Sequence, residues 1–585
     1  AFVQAPVQQQ QQLRGALSSE AAYQPEPASA AAAPRDAFAA ATFVGAGAVV
    51  VKALRRSRRA AKAPHPRAVA LRATKPSVEQ FSAEYEPMVG KVRAAFNTGK
   101  TRDIAWRRRQ LEGIHRMMVE NHEAVTDATR KDLGGGKIRG LFEVSPGAAA
   151  DHALAHLDDW TDETWISGWI SRCYTRPEPK GVVLIISPWN VPFNLCLAPL
   201  VAAIAAGNCV IIKPSDMNPM CSPLIQTLVE KYLDNECIKV VQGKRDETTA
   251  LLQQRWDHIF YTGNGLVGKI VLNAAAEYLT PVTLELGGKS PVIIDETAQM
   301  DTTCEHVSLY KWMNCGQICI SPDYVLVHES RAKEFVDRQK ALVLKSFGDD
   351  PKACGEYGKI VVERHVDRLQ KLIETSHGQL ICGGVAGIDR SARHIPPTII
   401  YEPSMDSPLM QGEVFGPIMP IVPYKTLDDA IKIVNSKETP LAFYMYSENS
   451  ANIEKALSKI SSGGACVNTS LEHFLEEDAP FGGMGPSGMG SYHGKFGFDE
   501  LSHTRTILRK STLPGFRTTA FPLPIAAKPT PDFVYGNAVQ TMLGSMPRGL
   551  KAFLRQRMVK RSFKLLLLAA LVGAVSSHGM ITRFL

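Results

Sequence analysis

The sequence has 585 residues, with 66 Lys+Arg, 58 Asp+Glu, 45% hydrophobic and 21% charged residues, a balance that excludes a wholly disordered chain, a collagen and a polytopic membrane protein. The formal charge of +8 is unevenly spread: nine basic residues fall within 52–75 and seven within 548–564, and neither stretch holds an acid. Outside those sixteen, 50 basic residues face 58 acids, so the body is net negative and no nucleic-acid partner is expected.

The first 75 residues hold a Gln run (Gln8 to Gln12), 22 Ala within the first 70 positions and only three acids (Glu20, Glu26, Asp36). An uncharged stretch from Ala37 to Val51 is stopped by Lys52 and an Arg cluster. An Ala- and Arg-rich, acid-poor leader has the composition of an organelle transit peptide, and this one resembles leaders of plastid-directed proteins. A solvated, disordered tail is the competing reading.

From 77 to 157 apolar residues such as Val92, Phe96, Ile104, Trp106, Leu111, Ile114 and Met118 recur at spacings of three and four among charges, which predicts a helical layer. Short apolar runs then alternate with helical segments: Gly181 to Ile186, Cys209 to Ile212, Ile238 to Val241, His258 to Tyr261, Val282 to Leu286 and Pro291 to Ile294. Buried β-branched runs separated by helices predict an α/β fold with parallel sheets. At the far end, Leu565 to Val575 is an uncharged run of eleven residues behind a basic stretch. A bilayer span needs about 20 apolar residues. The tail is therefore expected either to recruit Phe563 to Ile581 as an anchor or to lie in the interface, its Lys and Arg meeting anionic head groups.

Eleven Cys, odd in number and without paired CxxC spacing, suit free thiols in a reducing compartment and argue against a metal site. Tyr261-Thr-Gly-Asn-Gly-Leu-Val-Gly268 follows a predicted strand and opens a helix. Such glycines let backbone N–H groups and a helix N-terminus approach a pyrophosphate, but a ligand-free strand-to-helix turn has the same pattern. In Asn314-Cys-Gly-Gln-Ile-Cys-Ile-Ser-Pro322 both Cys315 and Cys319 are candidate nucleophiles, and a buried inert thiol is the alternative for either.

Six motifs settle what these two leave open. Pro188-Trp-Asn190, Lys213-Pro-Ser215, Glu285-Leu-Gly-Gly-Lys289, Gly316-Gln-Ile-Cys319, Glu413-Val-Phe-Gly-Pro417 and Pro480-Phe-Gly-Gly483 occur in one chain, in the order of the aldehyde dehydrogenase superfamily, which the chain resembles over about 77–510. The stretch Gly485 to Lys495 with Ser502-His503, and the turn Tyr261-Thr-Gly-Asn264, are similar to the class 3 branch that includes fatty aldehyde dehydrogenases. The resemblance implies an α/β aldehyde dehydrogenase fold with a Rossmann-like cofactor domain, an α/β catalytic domain and a small β oligomerisation arm. The expected divisions are a leader at 1–75, an NAD(P)-binding domain at 76–286 with 158–178 contributing to the arm, a catalytic domain at 287–480, the arm and C-terminal motif at 481–510, and an extension with a basic, apolar tail helix at 511–585.

It also implies roles. Cys319 attacks the aldehyde carbonyl, and Cys315 is left to packing. Asn190, with the Cys319 backbone N–H, stabilises the oxyanion. After hydride transfer, Glu285 activates water to hydrolyse the thioester. NAD or NADP is expected to meet Trp189, Lys213, Ser215, Asp216, Gly263, Asn264, Gly268, Leu286, Glu413 and Phe415. Lys213 would hold the adenine ribose, Asn264 with the Gly263/Gly268 turn the pyrophosphate, Glu413 the nicotinamide ribose, and Phe415 the nicotinamide face. Many relatives carry Glu where this chain has Asp216, so the choice between NAD and NADP stays open. The expected activity is oxidation of medium- or long-chain fatty aldehydes to carboxylic acids by a homodimer. The expected location is an organelle, a plastid by the leader, with membrane contact through the tail; a cytoplasmic membrane surface is the alternative. A non-enzymatic membrane scaffold would lack a nucleophile or base, yet Cys319, Glu285 and Asn190 are all present. A CoA-acylating dehydrogenase shares the thioester, but a hydrolytic base favours plain oxidation.

Overall fold

A computed structural model describes residues 76–167 and 172–510. The expected leader, and the tail beyond 510, lie outside the described residues.

Four helices open the chain: α1 (Pro76–Asn97), α2 (Ile104–Leu133), α3 (Gly140–Val144) and α4 (Pro146–Thr161). The apolar residues that predict this layer are buried on one side of it: Val92, Trp106, Leu111, Ile114 and Met118 all lie in the largest core cluster. Residues 158–161 complete α4 instead of entering the arm, because Trp160 is buried there against Phe498. The arm's strands are β1 (Thr164–Ser167) and β2 (Arg172–Pro179).

A doubly wound unit follows: β3 (Val182–Ile186), α5 (Asn194–Ala206), β4 (Cys209–Lys213), α6 (Cys221–Tyr232), β5 (Ile238–Val240), α7 (Arg245–Leu252), β6 (His258–Thr262), α8 (Gly265–Ala276) and β7 (Val282–Glu285). These strands pair in parallel in the order β7-β6-β3-β4-β5. The five residues of β3 are buried on both faces, the signature of a central parallel strand covered by helices. After β5 the chain crosses to the other side of β3, so the topological switch lies between β3 and β6. Ligands of such sheets bind in the crevice at the carboxyl ends of the strands flanking the switch.

The second unit contains β8 (Pro291–Ile294), α9 (Met300–Trp312), β9 (Tyr324–His328), α10 (Glu329–Phe347), α11 (Glu363–Glu374), β10 (Gln379–Cys382), β11 (Thr398–Tyr401), α12 (Pro408–Gln411), β12 (Ile418–Tyr424), α13 (Leu427–Asn435), β13 (Ala442–Tyr446), α14 (Ser450–Lys459) and β14 (Gly464–Val467). Its sheet runs β10-β11-β12-β9-β8-β13-β14, parallel except for β10. The chain then returns: β15 (Gly488–Met489) adds an antiparallel edge to β7, α15 (Gly494–Glu500) packs on α5, and β16 (Ser502–Arg509) joins β2 in the arm sheet, order β1-β2-β16. Gly488 has φ +148°, and a Cβ there would stand 2.2 Å from the Leu284 carbonyl oxygen. Only glycine lets β15 cross so close to the strand that carries Glu285.

Candidate active site

The expected cofactor residues of the first unit stand at carboxyl ends of its strands, except Gly268, which lies in α8. Trp189 and Asn190 follow β3, Lys213 closes β4 with Ser215 and Asp216 beyond it, Gly263 and Asn264 follow β6, and Glu285 and Leu286 end β7. Beyond β4 a cleft of about 340 Å³ is lined by Ser215, Asp216, Asn218, Gln242, Lys244 and Glu247, among others. Lys213 is buried and donates to the Pro214 carbonyl at 2.8 Å. Burial holds its ammonium below the ordinary lysine range, opposed by the charges of Asp216 and Glu247. In the glycine turn, Asn264 is the N-cap of α8, its side-chain oxygen accepting from the Val267 N–H at 3.0 Å. Gly268 serves packing: a Cβ there would touch Leu286 at 3.0 Å, whereas Gly265 faces open space. The open helix N-terminus, the polar cleft and the absence of a side chain at Gly265 fit a dinucleotide.

The loop between α9 and β9 is tightly pinned. Asn314, Cys315 and Gly316 are consecutive left-handed residues, at φ 51°, 53° and 67°. Such a run is costly for non-glycine residues and persists only where its surroundings fix it. Gln317 does much of the fixing: its amide donates to the carbonyls of Asn314 (3.0 Å) and Lys359 (3.1 Å) and accepts from the Val361 N–H at 3.1 Å. Its own carbonyl accepts from the amides of Asn190 (3.0 Å) and Asn314 (3.1 Å). Asn190, 3% exposed, is thereby tied to the turn that carries Cys319. Cys319 is partly exposed, while Cys315 is buried in a separate core cluster with Tyr357 and Leu369. Burial pushes the Cys315 thiol up to about 12. The Cys319 thiol is also raised, first by burial and then by the carboxylates of Glu413 and Glu285.

Glu285 is 2% exposed, and neither of its oxygens has a hydrogen-bond partner among the described residues. A buried carboxyl without partners resists ionisation: burial, then the charge of Glu500, raises it well above the usual carboxylate range. Glu413 is raised to about 8, by burial and then by Asp323, against the pull of a Gly288 N–H, Arg368 and Lys289. Gly287 makes room for it, since a Cβ there would sit 2.3 Å from a Glu413 carboxylate oxygen. Phe415, left-handed at φ 46°, is held by Arg368, which donates to the carbonyls of Val414 (2.7 Å) and Phe415 (3.3 Å). Its ring meets Trp189 edge-on at 5.3 Å, closing the two units around the end of β3.

Asn190, bonded to the Cys319 turn, stands at the carboxyl end of β3, and Glu285, without a hydrogen-bond partner among the described residues, at that of β7. The aldehyde dehydrogenase family matches residues 70–507. Among curated proteins the chain is 42% identical over 431 residues to "Aldehyde dehydrogenase, dimeric NADP-preferring" of Rattus norvegicus, covering 73% of this chain and 94% of the relative. It is also 42% identical over 429 residues to "Aldehyde dehydrogenase family 3 member A2" of Pongo abelii, covering 72% and 88%. The chain belongs to the aldehyde dehydrogenase family. As a member it catalyses NAD(P)-dependent oxidation of aldehydes. Among solved structures it is similar to substrate-bound Staphylococcus aureus AldH, with TM-score 0.73 and 35% identity over 79% of this chain and 99% of the other. A glyceraldehyde-3-phosphate dehydrogenase from Methanocaldococcus jannaschii, with TM-score 0.67 and 24% identity over 73% and 94%, shares the fold.

The site also contains residues that the motifs do not announce. Tyr492 is fully buried, and its phenol is raised by burial and then by the charges of Glu285 and Cys319. Lys311, buried on α9 near Asp323, Lys289 and Glu413, is lowered to about 8, burial being the main cause. Glu247 enters the cleft from α7, where it accepts the Lys244 N–H at 2.9 Å. Lys311 and Glu247 lie in ordinary helical sequence, which gives no signal; Tyr492 stands in the Gly485 to Lys495 stretch, whose branch resemblance carries the fatty-aldehyde expectation without assigning this tyrosine a part in the site.

Proposed function

We propose that this aldehyde dehydrogenase works through Cys319 as nucleophile, Asn190 as oxyanion donor and Glu285 as hydrolytic base. The observation that carries this reading is the buried Glu285 carboxyl, whose oxygens have no hydrogen-bond partner among the described residues and which lies within electrostatic reach of Cys319, in a site where Asn190 is bonded to the Cys319 turn. Cys319 loses its proton to solvent and adds as the thiolate to the aldehyde carbonyl. The oxygen of the thiohemiacetal draws on the Asn190 amide, which is fixed before charge develops and so needs no reorganisation at that moment. A bound nicotinamide supplies the hydride acceptor. Glu285, ionised, takes a proton from the water that cleaves the thioester; this favours a free acid product over transfer to CoA. Trp189, Lys213, Ser215, Asp216, Gly263, Asn264, Gly268, Leu286, Glu413 and Phe415 would surround NAD or NADP, Gly268 and Leu286 by packing.

Fatty aldehydes are the favoured substrates. Ile138 and Leu141, beside the Arg139 that bonds Asn190, are 70% and 65% exposed, and Leu309 and Leu475, on elements next to the Cys319 loop, are 55% and 60% exposed. Exposed apolar side chains on the segments that lead to Asn190 and Cys319 suit an apolar substrate chain. The relative named "dimeric" and the exposed Trp165, Ile166 and Leu508 of the arm, with Leu266 and Ile270 on α8, support a homodimer. No helix among the described residues is long and apolar enough to cross a membrane, so membrane contact rests on the tail beyond 548 and organelle delivery on residues 1–75.

The test is NADH and NADPH production with aldehydes of increasing chain length, on the wild type and Cys319→Ala. A full rate in Cys319→Ala would refute the mechanism, and a preference for short chains would refute the substrate assignment. Truncation before Arg548 is expected to release the protein from vesicles.

A further inference from the structure

Two side chains, one just before α3 and one on it, hold the segment containing Asn190 from both ends. Arg139, just before this short helix, donates through Nη2 to the Asn190 carbonyl at 3.1 Å. Glu143, one turn later, accepts the Phe193 and Asn194 N–H groups through one oxygen, at 2.9 and 3.3 Å. These N–H groups belong to the otherwise unsatisfied first turn of α5, so the carboxylate caps that helix. Glu143 is 1% exposed, and its other oxygen has no partner among the described residues. Burying a carboxylate for an ordinary cap is expensive, and a surface serine or aspartate would cap α5 more cheaply. What this arrangement adds is rigidity between positions 190 and 194. Gly140 lets α3 lie against α2: a Cβ there would be 2.1 Å from the Thr126 hydroxyl.

We propose that Arg139 and Glu143 are positioning residues that set the direction of the Asn190 amide. The proposal rests on the reading of Asn190 as the oxyanion donor. With the carbonyl held by Arg139 and Asn314 (2.9 Å) and the following turn held by Glu143, the side chain has one direction in which to present the N–H not bonded to Gln317. An oxyanion donor is useful only at a fixed place, and a displacement near 1 Å costs on the order of 10²-fold in rate.

The test is a double-mutant cycle on the full chain, with kcat and KM measured for one aldehyde and for the cofactor. Asn190→Ala should lower kcat by about 10²- to 10³-fold. Arg139→Met and Glu143→Ala should each lower it by about tenfold or more while leaving the cofactor KM within about twofold. Glu143→Gln keeps one oxygen to accept the two N–H groups and should restore most of that loss. In the Asn190→Ala background Arg139→Met and Glu143→Ala should cost almost nothing further, because residues that act through a third lose their effect once it is gone. Equal losses in both backgrounds, or no loss in either single variant beside a crippled Asn190→Ala, would overturn the proposal and leave Asn190's role standing. A full rate in Asn190→Ala would overturn both. Should Glu143→Ala not fold, the Arg139→Met arm decides alone.

Discussion

Lys289 and Asp323 form a buried ion pair at 2.5 Å, their side chains 5% and 4% exposed. Lys289 spends its other protons on the carbonyls of Leu409 (2.7 Å) and Gly412 (3.0 Å), and Asp323 accepts the Val414 N–H at 2.8 Å. The pair therefore ties the start of the second sheet to the loop that presents Glu413. Lys289→Met would take the paired ammonium from the buried Asp323 carboxylate, leaving it the Val414 N–H, and would strand two carbonyls. Breaking one side of such a pair costs about 3–5 kcal/mol, so the denaturation midpoint should fall and the cofactor KM should rise. An unchanged midpoint would show that the pair does not brace the loop.

The pH response follows from Glu285. Its folded-state value lies well above the ordinary one through burial and the charge of Glu500, so its base form accumulates only as pH rises through that higher value. Thioester hydrolysis should therefore accelerate on the alkaline side, and Glu285→Gln should flatten this limb while accumulating acyl-enzyme. Stability should move the opposite way. A carboxyl raised on folding contributes stability that is present in acid and lost as pH rises through its folded value. Thermal melts of the wild type should lose more with rising pH than those of Glu285→Gln, and parallel pH slopes would contradict the shift.

The two thiols four residues apart should separate cleanly. Cys319 is partly exposed, whereas Cys315 is buried; burial raises both thiols, so access separates them. Alkylation followed by peptide mass spectrometry should mark Cys319 and spare Cys315. Cys315→Ala should keep its activity at a stability cost of about 1 kcal/mol, while Cys319→Ala should lose activity. Labelling of Cys315 in folded enzyme would reverse the assignment.

Much of the fold is legible from local pattern alone. The apolar runs at 181–186, 209–212 and 258–261 become β3, β4 and β6 almost residue for residue, because a strand covered on both faces has no room for polar alternation. Motifs also mark the backbone positions that need glycine, such as Gly287 against Glu413 and Gly488 against β7. What the pattern does not reveal is long-range pairing. Arg139 and Glu143 meet the Asn190 segment across some 50 positions of sequence, and nothing around them distinguishes a buried clamp from a solvated helix face. The helical continuation through Trp160 is hidden for the same reason: its partner, Phe498, lies 338 residues away.

Cofactor choice should turn on the cleft beyond β4. Asp216 is exposed there, and Lys244 and Glu247 line the same cleft. A 2′-phosphate entering it meets two carboxylates and the Lys244 ammonium. Glu247 also caps α7 through the Lys244 N–H, so replacing it would disturb the helix, whereas Asp216→Asn removes charge with little change of shape. At a separation of about 4 Å in water one unit-charge repulsion is worth ~1 kcal/mol, or about fivefold. Asp216→Asn should therefore raise the ratio of kcat/KM for NADP to that for NAD by about this factor at low ionic strength. Added salt should shrink the gain, since an exposed charge is screened. An unchanged ratio would place the 2′ position out of reach of Asp216 and leave the preference to Lys213, Lys244 and Glu247.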